Sequence, residues 1–211
     1  MKNSEGLSRI WKMKGMQVNN FSSIDILSSS TCPIKDTSRD DQSANGIFMT
    51  DSMLSVVDFD MVKNKYIKDL SLHEMPKSVD ALYTDTDGNM YLIEFKNGTL
   101  DMKKQYSVQW KIFDSLLILS DIINERISFT RQNLNFILVY NYEKNPADAP
   151  DADCPQESQS RVNIGEYVYS KRGKRRFIRF SLERFEGLYF KNVFTVTKEQ
   201  FENSFIQTWT N

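Results

Sequence analysis

The chain has 211 residues, a length that suits one domain, with room for an ordered extension. A hydrophobic content of 40% supports a real core, and a net charge of −1 excludes a globally basic nucleic-acid binder, so any polyanion contact must come from a local patch. Two cysteines and one histidine cannot complete a zinc pattern. No run of about eighteen apolar residues offers a membrane span, Met1 to Asn20 carries no signal-like apolar run, and the expected location is the cytoplasm, with Cys32 and Cys154 reduced.

Residues 1–50 are rich in Ser, Asn, Asp and Thr with short apolar islands, and are expected to form an irregular arm with one strand near Ser23 to Leu27, the alternative being partial disorder. Residues 51–211 are expected to form a single α/β domain. Its first helix is placed at about Ser52 to Ser71, capped by Asp51 or Ser52, with Leu54, Val57, Met61, Tyr66 and Leu70 as its stripe. Two β-rich runs follow, Ser78 to Thr84 and Asn89 to Lys96, around the turn Asp85-Thr-Asp-Gly88. A second helix is expected from about Lys103 to Glu125, with an apolar arc wide enough for burial on more than one side, Trp110 included in its core. Leu134 to Tyr142 is nearly continuously apolar, as a central strand of a mixed sheet is.

Residues 143–160 are expected to be an exposed loop, followed by a helix or turn through Tyr169 and a basic loop at Lys171 to Arg176. Phe177 to Phe180 reads as a short strand, Ser181 as the cap of a short helix, and Lys191 to Val196 as another strand. Thr197 and Gln200 form a capping box for the last helix. The order of elements predicts a mixed central sheet flanked by helices.

The chemistry concentrates in the hairpin. Side chains alternate along a strand, so Glu94 and Lys96 share one face with Leu92, while Tyr91, Ile93 and Phe95 take the other. With the turn at Asp85 to Gly88, paired residue numbers sum to about 173 or 174; the second register sets Asp80 beside Glu94, and a slip of one residue turns it away. Two carboxylates on one patch suit Mg²⁺, which keeps waters and accepts phosphate oxygens, and the Phe95 carbonyl lies between them in sequence as a further ligand. Lys96 suits orientation of a water or stabilisation of phosphoryl charge. The bare spacing arises about once by chance in a chain of this length. Its place between two helices, across an Asp-Gly turn, distinguishes it from Asp101-Met-Lys103, where Asp101 reads as a helix cap.

The run SVDALYTDTDGNMYLIEFKNG resembles the core of the PD-(D/E)xK nuclease superfamily, in its RecB-type and Holliday-junction-resolvase-type branches. The resemblance covers residues 51–142 in order and reaches motif level at 78–98. It implies a restriction-endonuclease-like core of helix, three-stranded meander, helix and strand, with Mg²⁺-dependent phosphodiester hydrolysis, Mn²⁺ being able to substitute. Asp80, Glu94 and Lys96 match the family's catalytic residues one by one. The proline before the family's Asp is replaced by Val79, and the Gln and Tyr of RecB-like members have no exact match around Gln105, Tyr106 and Gln109. Family members often add an acid from the preceding helix; Glu74 is preferred here over Asp58, and His73 is weighed as a surface residue against a metal ligand. The expected partner is nucleic acid, DNA before RNA, met by Gln105, Gln109 and the basic loop Lys171, Arg172, Lys174, Arg175 and Arg176. The rival expectation is a nuclease-fold protein that binds nucleic acid or protein without turnover.

Overall fold

The computed structural model describes residues 24–40, 46–146 and 177–210. Among them a six-stranded mixed sheet runs in the order β1 (Thr31–Pro33), β4 (Ser55–Asp58), β5 (Ala81–Thr84), β6 (Met90–Lys96), β7 (Leu134–Tyr140) and β8 (Asn192–Thr197). The first four strands pair antiparallel, and β6–β7 and β7–β8 pair parallel. Two short strands, β2 (Arg39–Asp40) and β3 (Ile47–Phe48), form a separate ribbon. The expected α/β class with a mixed central sheet flanked by helices is what the chain adopts.

Strand β7 is buried at all seven residues, as its uninterrupted apolar run requires when both faces are covered. On one face Leu82, Met90, Leu92, Phe136 and Leu138 pack against helices α3 (Phe59–Tyr66) and α4 (Met102–Ile122). On the other, Ala81, Ile93, Phe95, Ile137 and Val139 meet Phe201, Phe205 and Ile206 of the C-terminal helical segment. That segment starts as α6 (Lys198–Phe201), passes through a π-helical turn at Glu202–Ile206 and ends as α7 (Gln207–Thr210). Thr197 and Gln200 make the expected capping box.

Several expectations need correction. The helix placed at Ser52 to Ser71 is split: Val56 and Val57 enter β4, where β-branched residues fit the pleat, and the helix begins only after Asp58, whose carboxylate accepts the Met61 N–H at 2.9 Å. The proposed stripe was irregular in spacing because it joined a strand to a helix. The strand expected near Ser23 to Leu27 is instead the helical turn α1 (Asp25–Ser28), and the chain before residue 50 supplies edge strand β1, the turn α2 (Ile34–Thr37) and core residues Leu27, Ile34 and Met49. The strand expected at Phe177 to Phe180 does not form; Phe180 and Ser181 take left-handed φ values of 62° and 55°, which break extension. Arg179 anchors this stretch by donating to the Tyr140 hydroxyl and the Asn145 and Pro146 carbonyls. An unforeseen helix, α5 (Ile127–Asn133), leads into β7. Trp110 is not core: it is exposed with Tyr106 and Leu117 along the outer side of α4, whose inner side buries Val108, Ile112, Leu116 and Leu119.

The hairpin is set by its turn. Asp85 accepts the N–H groups of Asp87 and Asn89, and Gly88 adopts φ 81°, a conformation that suits glycine. The resulting register pairs Ala81 with Ile93 and Leu82 with Leu92. It is the one that sets Asp80, immediately before β5, beside Glu94.

Candidate functional site

Asp80 and Glu94 lie on the α4 side of the sheet. Three α4 residues fix the approach to Asp80. Asp114 accepts the Lys77 N–H at 2.7 Å, Ser115 accepts the Val79 N–H at 2.9 Å, and Lys111 reaches Asp80 itself. From the strand side, the Asp80 N–H donates to the Ile93 carbonyl at 3.0 Å, and the Phe95 N–H donates to Asp80 Oδ2 at 2.6 Å. The carboxylate is thus clamped by backbone on one oxygen and faces a cation with the other.

The resulting cluster contains two acids and two ammonium groups. Lys111 Nζ lies 3.1 Å from Asp80 Oδ1, 2.8 Å from Glu94 Oε1 and 2.9 Å from Glu94 Oε2. Lys96 Nζ lies 2.6 Å from Glu94 Oε1. The Glu94 side chain is fully buried, whereas Asp80 and the two lysines keep 16–27% of their side-chain surface. Glu94 Oε1 meets both ammonium groups at ion-pair distance but makes no aligned hydrogen bond. Burying a carboxylate costs several kcal/mol, so the arrangement persists only because opposite charges surround it.

Burial, then the neighbouring Glu94 carboxylate, push the Asp80 carboxyl up to about 7, against the opposing pull of Lys111, Lys96 and the Phe95 N–H. Burial disfavours the Lys111 ammonium, but Glu94 and Asp80 together outweigh it and hold its pKa above the ordinary lysine value. A third acid, Asp60 on α3, stands close enough for Lys111 to act on it. It accepts hydrogen bonds from Ser78 and Lys63 and is held below the usual carboxylate range by them despite its burial.

The structure therefore brings together Asp80, Glu94 and Lys96, and adds Lys111. Lys111 sits one turn from buried Val108 and Ser115 and beside buried Ile112, so its position on the inner arc of α4 was the available signal. Glu74 and His73 are exposed on the connection between α3 and β5, and neither joins the ion pairs above. Asp58 is spent as the cap of α3, and Asp101 caps α4 by accepting the Lys104 N–H. Gln105 donates to the Leu100 carbonyl, and Gln109 is buried in α4. The basic loop Lys171, Arg172, Lys174, Arg175 and Arg176 lies outside the described residues, as does Cys154; Cys32 is a free thiol pushed up to about 11 by burial and by Asp58 and Asp36. Among the described residues no three His, Cys, Asp or Glu side chains cluster as a metal cage. A cavity of about 360 Å³ beside β1, β4 and β5 includes none of the four charged residues in its lining. No described helix is long and apolar enough to cross a membrane.

Comparison of the chain with protein-family models, with curated proteins and with solved structures finds no match.

Proposed function

We propose that this protein is a cytoplasmic, metal-dependent nuclease of the PD-(D/E)xK type that hydrolyses phosphodiester bonds in DNA or RNA. The observation that carries the reading is convergence: oxygens of Asp80 and Glu94 lie within 3.1 Å of a single cationic atom, with a second lysine at 2.6 Å. Acids more than about 8 Å apart could not share one Mg²⁺, whose ligand distances are near 2.1 Å. The antiparallel run β4–β5–β6, followed by α4 and a parallel β7, supports a restriction-endonuclease-like core. Placement of α3 between β4 and β5 differs from the helix-first order that the resemblance implies.

The donor set fits a divalent cation. Two hard carboxylates suffice for Mg²⁺, which keeps several waters, and Glu94 Oε1 is a buried oxygen without an aligned donor. When bound, the metal supplies Lewis acidity and a water of lowered pKa. Asp80 and Glu94 would hold it, with the Phe95 carbonyl as a proposed further ligand; Glu74, exposed and apart from the pair, is not in place to join them. The Phe95 N–H keeps the Asp80 carboxylate aimed. The Lys96 ammonium, on the strand face shared with Glu94, orients the attacking water and stabilises charge on the phosphoryl oxygens. Substrate phosphates would be met by the basic residues at 171–176 and by Gln105; Gln109, buried in α4, is not available to them.

A second reading has its own observation. The two acids are balanced by two ammonium groups, and a pair so neutralised is stable without metal, as in a nuclease-fold protein that only binds. Incubation with plasmid, linear and single-stranded substrates in Mg²⁺, Mn²⁺ or EDTA separates the two. Metal-dependent cleavage lost in Glu94→Ala and Lys96→Ala supports the nuclease; cleavage that survives both substitutions rejects the site; no cleavage of any substrate favours the binding protein.

A further inference from the structure

Lys111 is the member of the cluster that the proposed hydrolysis does not use. Its ammonium stands between the two acids, 3.1 Å from Asp80 and 2.8 and 2.9 Å from the oxygens of Glu94. We propose that Lys111 is a built-in counter-cation, which fills the cation position between Asp80 and Glu94 and withdraws when a divalent metal enters, freeing its ammonium for a nucleic-acid phosphate. This rests on the metal-dependent reading above.

A divalent ion that bridges Asp80 and Glu94 takes the position the Lys111 ammonium now fills, within 3.1 Å of oxygens of both acids, whereas Lys96 pairs with Glu94 alone. Metal binding must therefore break two ion pairs that Lys111 now makes. That cost lowers metal affinity in the protein alone. Without metal, the same contacts relieve the repulsion between Asp80 and Glu94, which Lys96 contacts only through Glu94. Lys111 sits mid-way along the 21-residue helix α4, its head is carried on a flexible four-carbon stem, and its side chain is 19% exposed, which opens a route to solvent. A phosphate at the rim favours the withdrawn ammonium, and so does the metal. Two ligands that favour one conformer strengthen each other's binding by the same factor.

The test titrates Mn²⁺ into the full chain without nucleic acid, reading free Mn²⁺ by its paramagnetic resonance signal. Lys111→Met and Lys111→Gln are expected to bind Mn²⁺ about tenfold or more tighter than the unsubstituted protein, and Lys111→Arg to stay within about threefold of it. A phosphorothioate oligonucleotide should tighten Mn²⁺ binding several-fold in the unsubstituted protein and leave Lys111→Met unchanged. Reductive methylation with mass spectrometry provides a readout that needs no variant: Lys111 should be protected without Mn²⁺ and modified as Mn²⁺ saturates. Equal Mn²⁺ affinity in the unsubstituted, Met and Gln proteins overturns the inference and leaves metal-dependent cleavage standing. So does protection that persists at saturation. Failure of all four proteins to bind Mn²⁺ removes the metal site itself, and the inference with it.

Discussion

Strand β6 presents two unlike surfaces. Toward the C-terminal helical segment, Tyr91, Ile93 and Phe95 are sealed by rings: Phe95 meets Phe201 edge-on at 5.6 Å, and Tyr91 meets Trp209 at 4.9 Å. Toward α4, the strand begins in the same manner with Met90 and Leu92, then changes to Glu94 and Lys96. One face is held by packing that needs no partner charge. The other is buried to a similar depth but depends on each charge having its complement. A strand with a uniform backbone can thus carry unlike roles on its two faces. The apolar face confers stability, while the charged face sets Glu94 and Lys96 against Asp80 and Lys111.

Breaking each face should give a different pattern of losses. The largest effect is expected from Glu94→Ala, which leaves two ammonium groups without their shared partner and should cost about 3–5 kcal/mol of stability, with loss of metal-dependent cleavage. Phe201→Ala, on the opposite face, should cost a similar ~3–5 kcal/mol, yet cleavage per folded molecule should persist. Urea denaturation alongside a plasmid assay reads both; equal loss of cleavage in the two variants would mean that the faces are not functionally distinct.

Lys96→Ala should lower cleavage about 10²–10³-fold. Because its side chain is 27% exposed, stability should change by no more than about 1 kcal/mol. A stability loss as large as that of Glu94→Ala would make Lys96 a structural ion-pair partner rather than a group acting on substrate.

The Asp80 carboxyl provides a sign test. Its folded pKa is raised to about 7, above the unfolded value near 4, so the folded state binds its proton more tightly. The stability this contributes is fully present below about pH 4 and is lost as pH rises through 7. Asp80→Asn should therefore flatten the fall in unfolding free energy between pH 4 and 7 by about 3 kcal/mol. A steeper fall in the variant would reverse the sign and place Asp80 in a net stabilised, charged state. The smallest effect belongs to the packed side: Thr197→Ala removes the capping box and should cost about 1 kcal/mol without changing cleavage.

Much of this was legible along the chain. The hairpin, its Asp85 turn and the alternation that puts Glu94 and Lys96 on one face follow from local chemistry. The capping box at Thr197 and the buried strand β7 do as well. Elements whose signal was weak locally were misplaced. Val56 and Val57 fit a loose helical stripe until β1 and β5 are seen to pair with them. Arg179 holds its segment through side-chain bonds that no periodicity encodes.

Side-chain direction alternates along a strand with a fixed period of two, so the placement of Glu94 and Lys96 on one face of β6 is written in the residues themselves. That Asp80 meets Glu94, and that Lys111 stands between them, follows from the folded arrangement of β5, β6 and α4. Register depends on the turn's hydrogen bonds, and a helical lysine seventeen residues beyond the hairpin's Glu reaches it only through the packing of α4 on β6, gripped at 77–79 by Asp114 and Ser115. Contacts of that kind depend on the whole core closing, so no local run of residues carries them.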